Sequence, residues 1–138
     1  MKKIGGALAS VAVWISSLLG GWDMPIKAMF LLMGLDIFTG IICSFFGKSG
    51  ATEGGKFSSR ELYLGLSRKL MMVLLIICAY TLDSMLNLNG VSRSAVIGFY
   101  CVSEALSIVE NAAILGVPFP KAIKNMLESK REESEEEQ

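Results

Sequence analysis

The sequence predicts an all-α integral membrane protein, a bundle of three to four transmembrane helices with a charged C-terminal tail. Three observations predict it. Hydrophobic residues make up 52% of the 138, and the mean hydropathy is +0.52. Charged residues make up 19%, below the ~25% of a soluble domain. The charges also crowd into a start, a middle loop and a tail, leaving long apolar tracts between them.

The tracts cover residues 4–20, 24–46, 70–88 and 95–117. A hydrocarbon core of ~30 Å takes ~20 helical residues at a rise of ~1.5 Å, so the last three are long enough and the first is marginal. Lys2 and Lys3 ahead of an apolar stretch also resemble the start of a signal peptide. The residues up to Trp22 lack the small-x-small pattern of a cleavage site, so the first tract is expected to stay. Gly20-Gly21 should end that helix, Asp23 can cap the next, and Pro25 fits its first turn. Trp22 suits a membrane–water interface.

Residues 47–69 read as a polar middle loop containing Gly50, Gly54 and Gly55. Ser58, with Glu61 three residues on, has capping-box spacing and should open a short amphipathic helix into the third tract. The turn Asn87-Leu88-Asn89-Gly90 joins tracts three and four, and Val117-Pro118-Phe119-Pro120 ends the fourth. Residues 1–120 thus form a transmembrane domain and 121–138 a charged cytoplasmic tail, with a surface helix over 121–131. The tail carries four basic and six acidic residues, and its Glu-rich end is expected to be disordered.

Positive charge sets the orientation. Lys48, Lys56, Arg60, Arg68 and Lys69 fall in the middle loop, Lys2 and Lys3 at the start, and Lys121 and Lys124 at the tail. Asp23, Lys27 and Arg93 fall on the other side. Four spans with both termini cytoplasmic place nearly all the basic residues inside. Three spans, with the first tract lying in the interface, move only Lys2 and Lys3.

Several function classes are disfavoured. The formal net charge is zero and no strongly basic surface is visible, so a nucleic-acid partner is not expected. Histidine, the commonest general base and metal ligand, is missing. Cys43, Cys78 and Cys101 sit far apart inside apolar tracts and read as small hydrophobes, and the eight methionines read as apolar filling. Residues 50–56 spell G-x-x-x-x-G-K, but Phe57 stands where a phosphate loop needs Ser or Thr. No catalytic residue, cofactor or metal site is predicted.

The informative residues are acids within apolar helices: Asp36, Asp83, Glu104 and Glu110. A charge at the bilayer centre costs ~2.5–3.5 kcal/mol on insertion scales, so these acids should face other helices or water. No Lys or Arg is expected at comparable depth. Each acid is then protonated, hydrogen-bonded to Ser, Thr or Asn, or beside an aqueous path. Glu104, Ser107 and Asn111 share one helical face, flanked by Glu110. That face is either polar glue between helices of one chain or the lining of a pore. Gly40 and Ser44 form a small-xxx-small pair, as do Gly5 with Ala9 and Gly6 with Ser10.

Three patterns occur in order. Asp36, Thr39 and Gly40 read D-x-x-T-G. Ser58 and Ser59 precede Gly65 and Lys69 in G-x-x-x-K. Glu104, Ser107, Glu110 and Asn111 read E-x-x-S-x-x-E-N, ahead of Gly116, Pro118 and Pro120 in G-x-P-x-P. Together they resemble the phage holin family that includes toxin-secretion and phage-lysis holins of Gram-positive bacteria. The resemblance implies a non-enzymatic multi-pass protein of the bacterial cytoplasmic membrane, with the lipid bilayer and its own copies as partners. Such a protein assembles into pores that release an endolysin or export a toxin during host-cell lysis. Asp36, Thr39, Asp83, Glu104, Ser107, Glu110 and Asn111 would form a polar pore or oligomer face, and Gly40, Gly65 and Gly116 would serve helix packing. The alternatives are an antiholin, which binds and blocks a holin, and a small oligomeric ion channel or transporter.

Overall fold

Four helices form where the apolar tracts predict them: α1 (Lys2–Leu18), α2 (Met24–Phe45), α3 (Ser59–Leu86) and α4 (Val91–Ile114). The computed structural model describes residues 2–48, 59–123, 125 and 129. All four helices stop in the same way. A residue in the left-handed conformation follows each, namely Gly20, Gly47, Asn87 and Gly116. The amide after it then bonds back to a carbonyl of the last turn: Gly21 to Ser16, Lys48 to Cys43, Leu88 to Asp83 and Val117 to Ala112. This is the Schellman closure, which satisfies carbonyls that a helix end leaves open. Gly116 therefore terminates α4. A Cβ there would meet no atom of the described residues within 4 Å, and the φ of +90° gives Gly116 a backbone role.

Helix α2 starts as expected. Asp23 caps it by accepting the Ile26 amide at 3.3 Å, and Pro25 sits in the first turn. Helix α3 begins at Ser59, at the amphipathic start expected from the Ser58–Glu61 spacing, and runs unbroken into the third tract with Glu61 in its first turn. One boundary differs from the sequence reading. Helix α4 begins at Val91 rather than 95, because Asp83 supplies acceptors for its first amides. The expected cap at residue 58 and the Glu-rich end of the tail lie outside the described residues.

Helices α2, α3 and α4 are long and apolar enough to cross a membrane, whereas the apolar part of α1, Ala9–Leu18, is shorter. Helix α4 packs along both α2 and α3, and α1 touches α3 over a few residues. Asp23 meets Arg93 at the start of α4 and Cys43 meets Asn111 near its end, so α2 and α4 run parallel and α3 runs against both. The inward seams follow three-, four- and seven-residue steps: Ile26, Met29, Met33, Asp36 and Cys43 on α2, then Arg93, Ile97 and Glu104 on α4. On α3, Lys69, Ile76 and Asp83 recur every seven residues. Such spacing keeps one stripe of each helix facing its neighbours.

The apolar core holds Leu19, Ile26, Met29, Met33, Ile76 and Ile97. Gly20 lies over its end with φ +79°, and a Cβ there would come within 2.6 Å of the Tyr80 ring and 2.9 Å of Arg93 Nε. Gly20→Ala should therefore lose about 1–2 kcal/mol from left-handed backbone strain alone. The clash adds to that loss, which unfolding in detergent micelles would measure against the wild type.

A buried polar layer and a charged clasp

Two polar layers bracket the apolar core. The inner one gathers on α2, α3 and α4 about halfway along α2. Lys69 Nζ donates to Asp36 Oδ2 at 2.9 Å and also to Glu104 Oε2. Asn111 Nδ2 donates to Thr39 Oγ1 at 3.0 Å and to Asp36 Oδ1 at 3.4 Å. The Cys43 thiol donates to the Asn111 carbonyl at 3.3 Å. Glu104 is the most enclosed of the ionic trio, its side chain 4% exposed, against 12% for Lys69 and 18% for Asp36.

The outer layer is a clasp at the opposite end. Arg93 makes a forked pair with Asp23, Nη1 to Oδ2 at 2.8 Å and Nη2 to Oδ1 at 2.9 Å, while Nε donates to the Leu19 carbonyl at 2.6 Å. Asp83 accepts the amides of Ser92 and Arg93 at 2.9 and 2.8 Å, so a carboxylate of α3 caps α4. Thirteen residues of α2 separate Asp23 from Asp36, a rise of roughly 20 Å. The Arg93 guanidinium holds the Asp23 carboxyl below its usual range, and the Ile26 amide adds to this.

The described residues contain no buried side-chain nitrogen or oxygen without a partner. Hydroxyls on the outer surface bond to carbonyls of their own helix: Ser67 to Tyr63, Thr81 to Ile77 and Ser84 to Tyr80. Leu70, Leu74, Leu82, Phe99 and Val102 are exposed on the same surface, as is Arg68 beside Ser67.

Residues 13–131 match the bacteriophage holin family. The chain belongs to that family. Three relatives illustrate the likeness. The protein YqxH of Bacillus subtilis (strain 168) is 35% identical over 108 residues, covering 78% of this chain and 72% of YqxH. The protein CPE0383 of Clostridium perfringens (strain 13 / Type A) is 32% identical over 122 residues, 87% of this chain and 82% of its own. The probable holin of Bacillus phage phi105 is 36% identical over 99 residues, covering 72% and 68%. No solved structure matches the chain.

In this holin-family chain the residues of the predicted polar face fall into two groups. Asp36, Thr39, Glu104 and Asn111 come together in the inner layer, whereas Asp83 lies at the other end as a cap. Ser107 and Glu110 are half-buried on α4. A Cβ on Gly40 would lie 3.8 Å from Asn111 Nδ2, an ordinary contact. Gly65 has open space where a Cβ would go, so among the described residues no helix of the same chain approaches it closely. Ser59 opens α3, and Pro118 and Pro120 are exposed beyond α4.

The expectation that no cation reaches the depth of the acids is overturned by Lys69. Because α3 begins at Ser59, Lys69 is well inside the helix, and its long stem carries the ammonium inward. Arg93, assigned to a loop by its place ahead of the fourth tract, is likewise buried in the first turn of α4. The seven-residue spacing of Lys69, Ile76 and Asp83 was the available signal for the first. For the second it was the placement of Asp23 and Arg93 on the same side of the membrane.

Removing one member of a buried ion pair costs about 3–5 kcal/mol, because the remaining charge loses its compensation. Lys69→Met should destabilise the bundle by about that amount in micelle unfolding, and adding Asp36→Asn with Glu104→Gln should recover most of it. The clasp makes a separate prediction. Asp23 has a lowered folded pKa, so its stabilisation is present above the ordinary aspartate range and is lost as pH falls through the lowered value. The difference in unfolding midpoint between wild type and Asp23→Asn should be constant near neutral pH and shrink only below about pH 4.

Proposed function

We propose that this chain is a holin. It collects in the bacterial cytoplasmic membrane with both termini cytoplasmic, assembles with copies of itself, and opens lesions through which an endolysin or a toxin passes. Its membrane-active part needs no catalytic group, because the work is done by helix association and by the wetting of a polar face.

The observation that carries the reading is the inner layer. Asp36, Lys69 and Glu104 pair with one another inside an apolar bundle. A structural core of this size would be simpler with hydrocarbon in place of the ions, since a buried ion pair is seldom more stabilising than well-packed apolar residues. Polar groups hidden at this depth suit a protein with two states. In the first they satisfy each other and the chain is soluble in lipid. In the second, Asp36, Glu104 and Asn111, with Ser107 and Glu110 on the same helix, line an aqueous gap. Asp83 shapes the α3–α4 corner in the first state.

Expression of the chain alone in a bacterial host should permeabilise the membrane to proteins. Intact cells would indicate an antiholin, and ion flux without protein release a channel. Glu104→Leu with Asn111→Leu should delay or abolish lysis at equal membrane levels. Unchanged lysis timing in that double variant would remove the pore-lining role.

A further inference from the structure

The chain divides into two halves with different internal ties. Helices α3 and α4 form a hairpin closed by the short turn 87–90 and locked by Asp83, which holds the Ser92 and Arg93 amides. Helices α1 and α2 form an arm. Thirteen residues, 46–58, connect the arm to the hairpin. At full extension they span roughly 45 Å, several times the 8–10 Å between packed helix axes.

The polar bonds from α2 and the α1–α2 turn to the hairpin lie at two levels. At one, Arg93 holds Asp23 and the Leu19 carbonyl. At the other, Lys69 holds Asp36, Asn111 holds Thr39, and Cys43 holds the Asn111 carbonyl. A second copy inserted in the same orientation presents each complementary group at the same depth.

Resting on the holin reading, the geometry points to an arm-exchanged assembly. The α1–α2 arm of one copy seats on the α3–α4 hairpin of the next, so that Lys69 pairs with Asp36 of the adjacent copy and Arg93 with Asp23 of the adjacent copy. The exchange creates no unpaired charge, since every bond broken within a chain is remade between chains. It needs no polar patch on the lipid-facing surface, where the hydroxyls of Ser67, Thr81 and Ser84 are already bonded to their own helices. Seating each arm on the next hairpin is a head-to-tail contact, which closes into rings or continues as open arrays of any size. During the exchange the α2–α4 seam parts, and its polar residues meet water.

The test is charge exchange within and between chains. Lys69→Asp alone and Asp36→Lys alone should each lose lysis, and the two substitutions in one chain should restore it. Co-expression of the two single variants should also restore lysis, because the arm of the Asp36→Lys chain fits the hairpin of the Lys69→Asp chain. The remaining arm and hairpin, both unaltered, fit each other as in the wild type. Differently tagged copies should then co-purify. Restoration by the double variant without restoration by co-expression would overturn the exchange, whether the single variants accumulate or are degraded. A wild-type chain that leaves the membrane intact would instead defeat the holin reading, and the assembly with it.

Discussion

One ammonium shared by two carboxylates inside an apolar bundle is the constraint on which the rest of the structure depends. Lys69 stands on α3, Asp36 on α2 and Glu104 on α4, so this one contact ties together the three long helices. Each ion alone would be strongly disfavoured in hydrocarbon. Their mutual pairing fixes the register of the helices, because sliding any helix by one turn would strand a charge. Asn111 and Thr39 complete the layer by engaging Asp36.

The second layer, roughly 20 Å away along α2, fixes the other end by different means. Arg93 uses its planar fork to hold Asp23 and its Nε to hold a carbonyl at the end of α1, so one side chain joins two interhelical turns. Gly20 makes room for it. Between the layers, Met29, Met33, Ile76 and Ile97 are packed with no polar atoms to satisfy. The bundle is thus pinned at two heights and greased between them, an arrangement in which whole helices can separate and rejoin in the same register.

That arrangement explains how a holin-family chain can reside in lipid without perturbing it. Charges on the spanning seams pair inward, and surface hydroxyls are turned onto their own backbones. A wet state arises on the holin reading by reopening the inner seams, where the paired charges lie. The same economy accounts for the polar residues of α4 occupying its inward side while Val102 and Phe99 face outward.

The sequence by itself determined the helices, their approximate ends and the membrane setting. These depend on local chemistry: apolar runs of spanning length, glycine at left-handed positions such as Gly20 and Gly116, and Asp23 placed to cap α2. It also marked Asp36, Glu104 and Asn111 as residues that must be shielded. Partner choice was decided only in three dimensions. Lys69 reads as one more basic residue of the middle loop until its ammonium is seen between Asp36 and Glu104, and Asp83 reads as one more pore acid until the return of α4 sets two amides against it. Hydropathy reports how deep a residue lies along its own helix, but not which side chains from other helices reach that depth. That depends on helix rotation and on the length of a flexible stem, and both are fixed by packing between segments far apart in the chain.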